Sequence, residues 1–309
     1  MEYYHLSEDD VLFEEPEEKN MKESEITHFI QENAIPVNDF SALPSEMSPF
    51  LSDRKIILIG ESLHGTNDGP EMALGLLKNL CQLGKPLILA IEVWSSEQNT
   101  FDRFMQTGDL EILRSSSFFK NTPQCGLGSL ALVELLQKIR FMPNMKVFCF
   151  DPFNQQMIEA SNKMADISIS QDRDRGMAYN LLEKIKERDD AVVVVLTGSL
   201  HASTAMTSFL DSDYEPMGYL LTHQEKTPLE GSEVLSILMK FEKGSAWCGL
   251  SVDNGENITF GVHEIAQTID VYTQAVNWKG YFLPNNPFEK GYHAVLFTRT
   301  ISPSYPLQF

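Results

Sequence analysis

Cysteine is sparse: four in 309 residues, at positions 81, 125, 149 and 248. No two form a CxxC pair, which excludes a zinc ribbon and a thioredoxin-like redox motif. Reduced thiols are the expectation, with Cys81 and Cys149 in apolar contexts that suit buried cysteine. Long apolar runs are missing too. None approaches the roughly 20 residues needed to cross a bilayer, and the first 20 residues lack the basic start, apolar centre and small-residue cleavage site of a secretory signal. The expectation is a cytoplasmic protein with no membrane span, with export by a signal-independent route left open. Positive charge is scarce as well: 24 Lys and Arg stand against 44 Asp and Glu, a net charge of -20. A field of that sign repels phosphate backbones, so nucleic acid is excluded as a partner. No repeat of fixed period and no low-complexity tract is present.

What the chain does have is apolar content, 42% of its residues, enough for one large core. Its acidity is concentrated in residues 2–25. Residues 1–50 therefore read as an acidic, solvated arm and lead-in segment, with docking to a protein partner as a second role. Residues 51–309 read as one α/β domain.

That domain is organised around residues 55–80, KIILIGESLHGTNDGPEMALGLLKNL. An apolar run at 56–59 breaks at Gly60 into a polar loop, and Pro70 opens a segment whose apolar residues recur at helical spacing, giving strand, loop, helix. Glu61 and His64 lie in the loop beside Gly65 and Gly69, at the strand's C-terminal end, where ligands bind in open α/β sheets. The pattern repeats along the chain. Residues 87–91 read as a buried strand that ends at Glu92 and Trp94, and residues 147–150 as one that ends at Asp151. Residues 191–196 are nearly all valine and leucine and break at Thr197 and Gly198, with His201 following. Helices are expected at 25–33, 96–105, 130–141, over most of 157–188 and at 202–210. Residues 36–49 read as a loop, and 115–128 as a loop covering the substrate. Further strands, some antiparallel, are expected at 219–222, 246–252, 258–262 and 294–300. The fold class is thus α/β, with a mixed, largely parallel central sheet flanked by helices.

A lone carboxylate after a strand ordinarily caps a helix. A Glu beside a His is more informative, because imidazole titrates near neutrality and a neighbouring carboxylate fixes its tautomer and raises its basicity. Asp172, Arg173, Asp174 and Arg175 form an alternating run that ordinarily marks a solvated helix face. The alternative is that Arg173 reaches into the cleft to hold a carboxylate or a developing oxyanion. His201 ordinarily would cap or pack, but its place after a valine-rich strand and Gly198 makes it a site candidate.

These residues also carry a family likeness. GESLHGT at 60–66, Glu92 after the second strand, Arg173 and Asp174 followed by Met177 and Ala178, and GSLH at 198–201 resemble the superfamily of erythromycin esterases, ChaN-type haem-binding proteins and Tiki/TraB-type proteases. The final stretch from Gly291 to Leu307 looks like the closing strand of the esterase branch. The resemblance implies a cleft lined by Glu61, His64, Glu92 and His201. In the esterase branch the matched His activates water for ester or lactone cleavage without a metal, and the matched glutamates orient it. In the Tiki branch matched Glu and His residues bind a divalent metal, so Glu61, His64, Glu92 and His201 become ligands for Mn or Zn in a peptidase. The ChaN branch implies a non-catalytic haem-binding protein. Esterase members can carry a substrate-positioning Arg just after the His64 loop, where this chain has Glu71. Arg173, Asp151, Glu71 and Trp94 are the substrate-side candidates. The leading expectation is a hydrolase acting on a small-molecule ester or lactone with no cofactor.

Overall fold

The computed structural model describes residues 22–122, 126–152, 167–209, 212–223, 229–252, 257–267 and 270–307. Most of the acidic arm, residues 1–21, lies outside them, as does Cys125. Eleven strands are described: β1 (Ile35–Pro36), β2 (Ile56–Glu61), β3 (Leu87–Trp94), β4 (Met145–Asp151), β5 (Val192–Gly198), β6 (Thr207–Phe209), β7 (Ser212–Tyr214), β8 (Val234–Val252), β9 (Asn257–Ala266), β10 (Gly280–Pro284) and β11 (Ala294–Ile301). Nine form the main sheet in the order β1-β10-β11-β8-β2-β5-β3-β4, with β9 paired to β8 beside this path. The six strands from β11 to β4 run parallel, while β1, β9 and β10 pair antiparallel with their neighbours.

The near-continuous apolar runs arise because the central strands are covered on both faces. Side chains alternate across the pleat. Ile57, Ile59, Leu89, Ile91, Val194 and Leu196 pack with Met72, Leu76, Leu77 and Leu136 from the helices Asp68–Cys81 and Leu130–Ile139. Ile56, Leu58, Ile88, Ala90, Val193 and Val195 pack on the other face with Met177, Ala178 and Leu181 of the helix Ile167–Glu187. The result is a helix, sheet, helix sandwich, as expected from the sequence. Among the described residues no helix is long and apolar enough to cross a membrane. Cys81, Cys149 and Cys248 are free thiols.

Three local expectations are corrected. Residues 219–222 are not a strand but lie inside the helix Met217–His223. Met217, Leu220 and Leu221 are buried at helical spacing there, a period that a four-residue apolar window conceals. Of the helix expected at 202–210, residues 203–209 are not helical either, and residue 210 lies outside the described residues. The helix Ser199–Ala202 stops after one turn, where the amide and hydroxyl of Thr204 donate to the Gly291 carbonyl at 2.8 and 2.9 Å, and the chain turns into the β6–β7 hairpin. Within 115–128, residues Ser117–Asn121 form a helix that buries Phe118 and Phe119 in the core. Of the segment expected to be helical over 157–188, residues 157–166 lie outside the described residues.

Candidate active site

The parallel register brings the C-terminal ends of four strands level. Glu61 of β2 stands opposite Gly198 of β5, Ile91 of β3 opposite Leu196 of β5, and Trp94 of β3 opposite Asp151 of β4. Four carboxyl- or imidazole-bearing segments, far apart along the chain, therefore reach one rim of the sheet.

The His64 loop is fixed from outside. Gly65 takes the left-handed conformation at φ +78°, and a Cβ there would meet the Trp247 carbonyl oxygen at 2.0 Å, so no other residue fits. Its own carbonyl accepts from the amides of Trp247 and Ser304, both at 2.9 Å. Thr66 bridges to Pro303. Pinned in this way, His64 places Nδ1 3.0 Å from Oε2 of Glu61. Burial works against charge on this imidazole, but the hydrogen bond to Glu61 and the charges of Glu61 and Glu92 outweigh it, with Arg173 opposing, and raise its pKa above the ordinary value.

Arg173 holds the other side together. Its Nε and Nη2 donate to the two oxygens of Asp151 at 3.1 and 2.8 Å, a bidentate fork. Nη2 also donates to Oε1 of Glu92 at 2.6 Å, and Nη1 lies 3.2 Å from Nε2 of His201. The second oxygen of Glu92 accepts from the Thr197 hydroxyl at 2.7 Å and the Gly198 amide at 2.9 Å. Burial alone would push the Glu92 carboxyl up. Arg173, then His201 and His64, and the Thr197 hydroxyl outweigh it and hold the carboxyl well below its ordinary range. His201 in turn sets Nδ1 2.9 and 3.0 Å from the two oxygens of Asp174. Its pKa is also raised: burial opposes charge, and Asp174 and Glu92 outweigh burial.

The two rings converge on one point. A Cβ added to Gly198 would stand 3.3 Å from Nε2 of His64 and 3.6 Å from Cδ2 of His201. Gly198 thus leaves a gap, of the size of one small group, between the two imidazoles. Gly198→Ala is expected to fill it with a methyl group in contact with both rings, with a thermal unfolding curve close to the original. A marked fall in the unfolding temperature would mean that the rings leave no room there. A neighbouring cavity is lined by Glu61, Glu92, Thr66, Ser129, Leu132 and Leu196. Gly126 and Leu127 also line it, so one end of the 115–128 segment does face the site.

Sequence reasoning placed Glu61, His64, Glu92 and His201 together, and in the structure they are. The substrate-side candidates fare differently. Arg173 and Asp151 belong to the group and face each other: the guanidinium is engaged by Asp151, Glu92 and His201, and Asp151 is its buried counter-ion. Trp94 is a core residue, 4% exposed and edge-on to Phe118. Glu71 is exposed on the first turn of its helix, outside the group. Asp174, Thr197 and Tyr214 were missed. Asp174 had a signal, since Asp174, Met177, Ala178 and Leu181 follow helical spacing and are all buried, while Asp172 and Arg175 are exposed.

The residues of the metal reading do not fit an ion as arranged. Both oxygens of Glu92 and both ring nitrogens of His201 already have partners, and the Arg173 cation stands among them. Among the described residues no group of three or more His, Cys, Asp or Glu is placed to hold a metal.

No family model matches this sequence, and no curated protein matches it. Solved structures do share its fold. A Bacillus cereus protein superimposes with a TM-score of 0.63 at 15% identity, covering 93% of this chain and 100% of the other. A succinoglycan biosynthesis protein gives 0.62 at 12% identity, covering 92% and 98%. A mutant of the erythromycin esterase EreC in its open conformation gives 0.58 at 10% identity, covering 85% and 95%. At these identities the likeness is one of fold, a large, mostly parallel sheet flanked by helices.

Proposed function

We propose that this chain is a hydrolase that cleaves a small-molecule ester or lactone with water activated by His64, and that it is an erythromycin-esterase-like member of its superfamily. One observation carries the reading: the 3.0 Å contact between Glu61 and Nδ1 of His64 leaves Nε2 facing the gap at Gly198, with the edge of a second imidazole across it. With Nδ1–H donating to Glu61, the free electron pair is on Nε2, the arrangement of a general base. Water in the gap gives its proton to Nε2 as its oxygen attacks the carbonyl. The imidazolium then returns that proton to the leaving alkoxide as the C–O bond breaks. The Arg173–His201 edge supplies the positive side of the site toward the developing oxyanion. The fold shared with an erythromycin esterase supports the reading without fixing the substrate.

The test is a panel of aryl and alkyl esters, lactones and peptides, assayed with chelator and with added Mn²⁺ or Zn²⁺. Ester or lactone hydrolysis that survives chelation and gains nothing from either ion is the expected result. Peptide cleavage that depends on added metal, with no ester turnover, would overturn the proposal.

A further inference from the structure

We infer that Asp174 is a positioning residue that locks His201 in the tautomer with its proton on Nδ1, so that Nε2 presents its electron pair to Arg173. The inference starts from a carboxylate with no exposed surface. Asp174 is 0% exposed, and an ionised carboxylate so placed must be surrounded by donors. Three are present. Oδ1 accepts from the Met217 amide at 2.6 Å, Oδ2 accepts from the Tyr214 hydroxyl, and both oxygens lie 2.9 to 3.0 Å from Nδ1 of His201. A carboxylate only accepts, so Nδ1 must carry the hydrogen.

The opposite nitrogen agrees independently. Nε2 lies 3.2 Å from Nη1 of Arg173, and a guanidinium nitrogen only donates. In the neutral ring both contacts hold together in one tautomer alone, the one with the hydrogen on Nδ1. The other would set Nε2–H against an Arg N–H, and would leave an electron pair on Nδ1 facing a carboxylate. The rest of the surroundings is consistent. Oε1 of Glu92 stands 3.8 Å from Nε2 and is already engaged by Arg173, and His64 is across the Gly198 gap. Asp174 therefore acts on the reaction through His201 and Arg173: it keeps the electron pair of Nε2 turned to Nη1 of Arg173. The part of this inference that concerns catalysis rests on the hydrolase reading; the tautomer does not.

Asp174→Asn is the informative substitution. The Asn carbonyl oxygen can still accept from the Met217 amide or the Tyr214 hydroxyl, but the amide presents N–H toward Nδ1 and so favours the wrong tautomer. The analogous change in the Ser-His-Asp proteases lowers kcat about 10⁴-fold with geometry intact. Here, with His201 one step further from the reacting atoms, the expectation is a kcat reduced at least about 100-fold and a KM within about threefold. Tyr214→Phe leaves the carboxylate in place and is expected to cost less than about tenfold. Nitrogen-15 NMR of the histidine rings at alkaline pH, where imidazole is neutral, reads the tautomer directly. The intact protein should show His201 protonated on Nδ1, and Asp174→Asn should move the proton to Nε2. An Nε2–H tautomer in the unaltered protein would overturn the inference, and so would an Asp174→Asn ring indistinguishable from it. If the ester panel shows no turnover, the hydrolase reading fails and the spectrum still decides this one.

Discussion

His64→Asn is expected to lower kcat by about 10² to 10⁴, the usual contribution of a positioned general base, while the protein stays folded. Asn cannot take a proton from water at any working pH, yet its side chain is polar and no larger than the ring it replaces. The site tolerates the loss because His64 is 25% exposed and its described side-chain partner is Glu61, so the cost in stability should be about 1 kcal/mol. The pH profile supplies a second reading. A general base must be neutral to act, and the His64 pKa lies above its ordinary 6.5. Activity should therefore fall as pH drops through a midpoint above 6.5. Removing the Glu61 charge with Glu61→Gln should move that midpoint down, because Glu61 supplies the two largest contributions that raise it. A folded His64→Asn protein with undiminished turnover would end the assignment, as would a Glu61→Gln profile that does not move.

The site was legible because its residues sit where parallel strands end, and parallel strands announce themselves as apolar runs. Ile56 to Ile59, Leu87 to Ile91 and the valines of β5 are buried on both faces, so their sequence is simple and its breaks are sharp. Each break delivered a residue to the rim. The opposite half of the sheet was harder to see. β8 runs from Val234 to Val252, but only its second half was expected to be strand, because Ser236 and Lys240 interrupt the first half. Ser236 is tolerated in the core because its hydroxyl donates to the Ala202 carbonyl at 2.6 Å. Lys240 is neutralised by Glu289, nearly fifty residues on. Neither partner is visible locally. β10 escaped for a related reason: its five residues pair between β1 and β11 and end on Pro284, where a short run reads as a loop.

The polar network was legible only in part, for a different reason. Charge alternation at 172–175 looks like a solvated face when residues are read one after another. On a helix, neighbours point about 100° apart, so two of the four can turn inward while two face water. Burial of Asp174 with Met177 and Ala178 decides which two. What the alternation could not show for Arg173 is its partners: the guanidinium meets Asp151, Glu92 and His201 and acts as the tie between strands β3 and β4 and the helix that carries it.

From that tie follows the largest expected effect on stability. Arg173→Met keeps much of the side-chain volume and removes the cation, leaving Glu92 at 5% and Asp151 at 2% exposure without their counter-charge. Breaking one side of a buried ion pair ordinarily costs about 3 to 5 kcal/mol, a large share of the total stability of a folded domain. The loss should depend on pH. In the intact protein the Glu92 carboxyl is held well below its ordinary 4.5, so folding favours the ionised form. Its contribution is complete above 4.5 and is lost as pH falls below it. Without Arg173 the largest of the influences that hold this carboxyl down is gone, so its pKa moves up and the contribution shrinks. The difference in stability between Arg173→Met and the intact protein should then be widest near neutrality and narrow as pH falls below 4.5. Arg173→Lys restores the charge without the fork that meets Asp151 with two parallel bonds, and should fall between the two. Thermal unfolding of the three proteins across this range measures the effect; an Arg173→Met protein as stable as the original near neutrality would show that the two carboxylates do not need the cation, and that the described network is not what holds this rim of the sheet together.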